Sequence, residues 1–315
     1  MTSVEGQKTP EDFLQMLRQL RNWERWGAED QRGAINLVTE EKTRAAAGLI
    51  RTGTTVSMSR PFPKQPAPNN QRPAHHVVWT KDYPDSEDGA QVGLDFLTLA
   101  VHGQASTHLD ALSHLWNVDG MWNGRQARAE MAGDGVRWGG IEQWRDGIAT
   151  RGVLLDVAAH RDVGFVELDE PVSAEELREI ARASAIEPAS GDALVIHCGR
   201  EGWERENGES WGSSSEGVAS ARRPGLAASC LEYFYESDCS VIIWDMMDAL
   251  PNEYGVRHTT HAALFNQGVA LLDNALLEPL AEACRAAQRF EFFVVVAPLP
   301  IEGATGSPVN PLAIL

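Results

Sequence analysis

The order of segments in this sequence predicts a mixed α/β fold, and three observations carry it. Runs rich in β-branched and aromatic residues recur from about residue 93 onward: GLDFLTLAV, GVLLDV, DALVIHCG, SVIIWDMM, GVALLD and FEFFVVVAP. Helical patterns stand between or beside them, in SAEELREIARAS, LAASCLEYFYES and LLEPLAEACRAAQ. No repeat, low-complexity tract or sharp composition break divides the chain, so residues 1–315 are expected to form one domain.

The elements follow in order. Phe13, Leu14, Leu17 and Leu20 recur at helical spacing and predict an opening amphipathic helix. TEEKTRAAAGLI predicts a second, with Thr39 as N-cap and Gly53 just past its end. Residues up to about 50 thus read as a helical extension. From about Arg60 to Val92 the character changes, with Pro61, Pro63, Pro66, Pro68 and Pro73 in a polar segment. A connection this long reads as an excursion that covers a cleft or embraces a neighbouring subunit. Further on, Ser173 and Glu176 have capping-box spacing at the head of a helix.

Charge narrows the function. Twenty-seven basic against forty-five acidic side chains leave a formal charge of −18, which repels nucleic acid and anionic lipid. No apolar stretch approaches the roughly 20 residues that span a bilayer. The amino-terminal segment lacks the basic patch and apolar run of a secretory signal. The four cysteines (Cys198, Cys230, Cys239 and Cys284) are scattered and fit reduced thiols, so a cytoplasmic protein is expected. Cys198 follows His197 on a strand that reads as packed interior rather than as a thiol site. The chain has no GxSxG elbow, no P-loop and no GxGxxG after a strand, which argues against serine hydrolases, NTPases and dinucleotide enzymes. SSSEG at 213–217 reads as a loop rather than a nucleophile site.

The chemistry concentrates in THLDALSH, residues 107–114. If residues 106–110 are extended, His108 and Asp110 point to the same side and can present an imidazole and a carboxylate to one cation. A helical turn through ALSH would bring His114 back near Asp110, within reach of a water on that cation. The competing reading is a surface turn with hydrogen-bonded histidines. Farther on, His261 and, twelve residues later, Asp273 at the end of an apolar run could complete a set of three or four ligands.

QASTHLDALSH, followed much later by His261-AALFNQGVALL-Asp273, is similar to the hallmark of the cyclase family of metal-dependent hydrolases, which includes bacterial kynurenine formamidases and isatin hydrolases. The similarity extends to WGAEDQRGAINL, GDALVIHCGR, RPGLAASCLEYF and IIWDMMDALP, and to MWNGR, which points to a long branch whose hallmark opens with Gln. The resemblance implies a swivelling β/β/α architecture, a curved mixed sheet with helices outside, assembled as a homodimer or homotetramer. It implies that His108 and Asp110 are ligands, that His261 holds a second ion and that His114 is the catalytic acid/base.

Three departures matter. Gln104 stands where the family has its first ligand histidine, with His102 displaced by two positions; Asp273 stands for a glutamate; and Leu112 replaces a proline. An amide, an imidazole and a carboxylate form a harder set, which favours Mn2+ over Zn2+, with one or two ions per subunit. The expected reaction is hydrolysis of a small amide, lactam or lactone. The alternatives are a cyclase or dehydratase that uses the ion as a Lewis acid, and a metal-free binding protein. Trp26, Trp116 and Trp122, with Trp23, could line a pocket for a flat substrate, although most of the ten tryptophans must be core. Asp245 and Asp248 follow an apolar strand and read equally as cleft carboxylates or backbone caps, while His75 and His76 lie in the proline-rich excursion.

Overall fold

The computed structural model describes residues 8–212 and 221–315, so the SSSEG segment lies outside the described residues. The helices are α1 (Pro10–Gln19), α2 (Glu40–Ala47), α3 (Ala127–Glu130), α4 (Val157–His160), α5 (Ala174–Ala183), α6 (Arg200–Asn207), α7 (Cys230–Ser237), α8 (Ala262–Gln267) and α9 (Glu278–Ala287). The strands are β1 (Thr55–Ser57), β2 (His75–Asp82), β3 (Gln91–Thr98), β4 (His108–Asp110), β5 (Met131–Ala132), β6 (Gly135–Val136), β7 (Ile148–Asp156), β8 (Ala193–His197), β9 (Val241–Trp244), β10 (Ala270–Asp273), β11 (Glu291–Val296), β12 (Gly306–Pro308) and β13 (Leu312–Ile314).

Nine strands form one mixed sheet in the order β1-β13-β11-β7-β8-β9-β10-β4-β12. Strands β7 to β10 are parallel, and β11 and β4 flank them antiparallel. The parallel strands are almost wholly buried, which is why VLLD, ALVI, VIIW and ALLD read as continuous apolar runs rather than alternations. Helices α2, α5 and α9 pack on β7 and its neighbours. The main apolar cluster extends from Phe13 of α1 to Leu315, and a smaller one gathers Met121, Val136 and Trp138. Among the described residues no helix is long and apolar enough to cross a membrane.

Local signals explain the helix ends. Thr9 and Asp12 make a reciprocal capping box on α1, Thr39 caps α2 through the Lys42 amide, and Ser173 accepts from the Glu176 amide on α5. The α2 helix stops earlier than its sequence suggests, at Gly48 rather than near Gly53, which sits in a turn at φ +75°. The proline-rich excursion is also more ordered than expected. His75–Asp82 pairs in register with Gln91–Thr98 as a hairpin, with Val77 opposite Phe96 and Trp79 opposite Leu94. Val77, Val78, Trp79, Phe96 and Leu97 remain exposed. The strand escaped sequence reading because neither of its faces is buried against a core, so no apolar alternation marks it.

What matters for function is the edge of the sheet. The carboxyl ends of β7, β8 and β10 place Asp156, His197 and Asp273 along it, with Asp245 just beyond β9. Open α/β sheets present their ligand sites at such strand ends.

Candidate metal centre

Strand register builds the core of the site. Antiparallel pairing sets His108 of β4 directly opposite Asp273 of β10, with Asp110 two residues further along β4 on the same face. His108 Nε2 lies 3.3 Å from Asp110 Oδ1 and 4.0 Å from Asp273 Oδ2. His261, at the head of α8, brings its Nε2 to 3.1 Å from Asp273 Oδ2. Asp110, His261 and Asp273 thus offer atoms that all lie within 4.8 Å of one another, and so do His102, His108 and Asp110. His108, Asp110, His261 and Asp273, named from the sequence, converge.

Outer contacts aim each ligand atom inward. His108 Nδ1 donates to the Ser106 carbonyl at 2.9 Å, which turns Nε2 toward the carboxylates. His261 Nδ1 is bonded to Asp248 Oδ2, the carboxylate–imidazole arrangement that orients metal-binding histidines. Asp248 Oδ1 also takes the Thr259 and His261 amides and the hydroxyls of Thr259 and Thr260, so this residue both caps the backbone and orients the His261 ring. Trp244 Nε1 holds Asp273 Oδ1 at 2.6 Å.

His114 reaches the centre by a different route from the one expected. Residues 112–114 form a turn closed by the His114 amide on the Ala111 carbonyl at 2.8 Å, not a helical turn. The turn still brings His114 Nε2 to 3.8 Å from Asp110 Oδ2. His102 stacks on the His114 ring at 3.7 Å between centroids.

The expectation for Gln104 needs correcting. The imidazole that converges on Asp110 is that of His102, whose Nδ1 is 2.8 Å from Asp110 Oδ1 and whose Nε2 meets Thr305 Oγ1 at 2.9 Å. Gln104 turns its amide toward Gly212, and its Oε1 has no hydrogen-bond partner among the described residues. The irregular turn at 101–106, with Gly103 at φ +152°, absorbs the two-residue offset. Asn274 clamps that turn by donating to the Gly103 and Ser106 carbonyls at 2.8 and 3.0 Å. Gly306 leaves space for the His102 ring, since a Cβ there would lie 2.7 Å from its Cε1.

The tryptophans also divide. Trp122 is wholly buried, bonded to the Asp30 carbonyl and packed on Gly268, with Trp26 against it at 6.0 Å. Trp122 is therefore core and not a pocket wall. Trp116 is 44% exposed. His258, which sequence reading passed over, faces His261 and shares a 4.8 Å cluster with it and Asp248. Its only signal was its position three residues before His261 in RHTTH.

The electrostatics fit a cation. Burial alone would pull His108 down, but the Asp110 charge outweighs it and raises the imidazole to about 9. Despite burial, the neighbouring histidines hold Asp110 well below the carboxylate range. Asp110 Oδ2, wholly buried, accepts no hydrogen bond from any described residue. A buried carboxylate oxygen without a donor, with imidazoles around it, suits a divalent ion.

Comparison with known proteins follows the same line. The Cyclase family model matches residues 56–249. The solved structure of a novel cyclase is similar at a TM-score of 0.82 and 29% identity, covering 95% of this chain and 99% of that one. Isatin hydrolase A from Labrenzia aggregata, solved with benzyl benzoate, is similar at a TM-score of 0.56 and 14% identity over 85% of this chain and 94% of its own. Isatin hydrolase A from Ralstonia solanacearum gives 0.54 and 18%, over 87% and 97%. No curated protein matches the chain. With the family model spanning well over half of it, the chain belongs to the cyclase family.

Proposed function

We propose that this protein is a metal-dependent hydrolase acting on a small amide, lactam or lactone. The observation that carries the reading is the unpartnered Asp110 Oδ2 amid converging His108, His261 and Asp273, with His114 alongside. Likeness in fold to isatin hydrolases supports a hydrolytic reaction.

His102, His108, Asp110, His261 and Asp273 would hold one or two ions, Mn2+ or Zn2+. Such an ion supplies Lewis acidity, acidifying water and polarising a carbonyl. His114 handles the proton. Burial keeps its imidazole at about 4, against the opposing pull of Asp110, so at neutral pH it is unprotonated and can accept a proton from the attacking water. It then delivers that proton to the departing nitrogen or oxygen. His102, stacked on its face, fixes the plane of the His114 ring.

His114→Ala is expected to lower turnover by about 100-fold or more, the scale of general acid–base catalysis, while metal content by elemental analysis stays unchanged. Equal loss of both would make His114 a ligand. Reaction in 18O water tests hydrolysis, because a cyclase or dehydratase would leave the acyl product unlabelled. Protein that takes up neither Mn2+ nor Zn2+ on titration would be a metal-free binding protein.

Two further parts of the proposal concern setting. The four buried, unpaired thiols suit a reducing, cytoplasmic compartment. The exposed apolar hairpin suits a homodimer or homotetramer. The pair Val77→Lys and Phe96→Lys is expected to shift the protein to monomer in analytical ultracentrifugation; unchanged mass would place the interface elsewhere.

A further inference from the structure

His102 and His258 border a cavity of about 300 Å³. Its remaining wall includes Gln104, Arg72, Arg222, Arg223 and Arg257, and no Asp or Glu is among its described lining residues. Such a wall runs against the composition of a chain with 27 basic and 45 acidic side chains. Arg222 is paired with Asp169. Arg223 stands 3.7 Å from the Asp248 carboxylate, and Arg72 and Arg257 have no carboxylate partner among the described residues.

Arg223 is the most telling. Its side chain is only 11% exposed, and its Nε donates to the Asp248 carbonyl at 2.7 Å. Its Nη2 stands 3.7 Å from Asp248 Oδ2 and hydrogen-bonds no described residue. The Asp248 carboxylate is already engaged by His261 Nδ1 and by amides and hydroxyls of residues 259–261. A guanidinium buried with a free donor is costly unless something completes its hydrogen bonding. Arg257 is exposed and forms no ion pair among the described residues, and Arg72 makes only a 3.5 Å contact to the His102 carbonyl.

We infer that the cavity takes an anionic substrate whose carboxylate is held by Arg223, close to Asp248 and His258, with Arg257 and Arg72 around it. The planar fork of a guanidinium matches a carboxylate and is strongest where water is excluded. The volume admits a molecule of about one ring with substituents. That the anion is a substrate rests on the hydrolase reading; the anion site does not.

The test is calorimetric titration with benzoate and with its neutral counterpart benzamide, on the protein as purified and again after chelation. Benzoate is expected to bind at least about tenfold more tightly than benzamide, the scale of a charge-assisted hydrogen-bond pair. Arg223→Met should remove that preference, and it should persist after chelation in the unmodified protein. Arg257→Gln, on an exposed side chain, should weaken benzoate about threefold without touching the fold. Equal binding of benzoate and benzamide, or benzoate affinity indifferent to both substitutions, overturns the site. Loss of benzoate binding on chelation alone assigns the carboxylate to the ion and overturns it equally. Benzoate binding by a protein that hydrolyses nothing would leave the anion site standing while the hydrolase reading fails.

Discussion

Two clusters of buried carboxylates and imidazoles stand along the same edge of the sheet, and they balance their charges differently. At the ends of β7, β8 and β9, Asp156 takes His197 Nδ1 at 2.8 Å, Arg285 Nη1 at 2.6 Å and the Ala159 amide at 3.2 Å. Asp245 there accepts the amides of Cys198, Gly199, Arg200 and Met246, all between 2.8 and 3.0 Å. Arg60 bridges the nearby Glu201 and Glu204. Ligand-type atoms of His197, Glu201 and Asp245 come as close together as those of the metal centre. Both oxygens of Asp245 are already taken by fixed amides and those of Asp156 by His197, an amide and Arg285, although Glu201 Oε2 has no partner among the described residues. At the ends of β4 and β10, Asp110 faces imidazoles alone and keeps an oxygen without a donor. Residue types do not separate the two clusters; the carboxylate at the centre of each does, Asp245 with both oxygens bonded and Asp110 with one bare.

The sharpest way to break this contrast is to remove one carboxylate from each side. Asp110→Asn should lower metal content and turnover by about 100-fold, with the loss of metal exceeding any loss of folded protein in urea. Asp245→Ala should do the reverse. Leaving four buried amides without their acceptor is expected to cost about 3 kcal/mol or more, with metal per folded molecule unchanged. If Asp245→Ala released the metal before the protein unfolded, the two clusters would be one site.

The smallest effect is the pH dependence that the structural cluster contributes. Burial opposes the charged form of His197, but its bond to Asp156 and the nearby charges of Asp245 and Glu201 raise its pKa above the usual 6.5. That contribution is fully present below 6.5 and is lost as pH rises through the raised value. Asp156, lowered by His197 and Arg285 against the effect of its burial, contributes above about 3.9 and loses that contribution on acidification below it. Stability measured against pH should therefore sag on both sides, and His197→Gln should flatten the alkaline limb. An alkaline limb untouched by that substitution would mean that His197 is neutral in the folded protein.

Much of the centre was legible because its signals are local. His108 and Asp110 share a strand face by the two-residue period, and the apolar run ALLD announces a strand that ends on Asp273. The capped helices were equally plain, since Thr39 and Ser173 bond amides three residues away. What escaped depends on contacts across long sequence separations. The exchange of Gln104 for His102 is decided by a turn held from Asn274 and by the missing side chain at Gly306. The role of Trp122 is decided by the fit of its ring on Gly268.

By itself, then, the sequence determined the alternating α/β elements, the pair His108–Asp110 and the apolar strands that carry the centre, because backbone periodicity and capping act over a few residues. Only the tertiary structure decided which third imidazole faces Asp110, which carboxylates are left bare and which arginines gather around the cavity. Those outcomes turn on strand register and on which donors burial leaves unsatisfied, and neither is written at any single position of the chain.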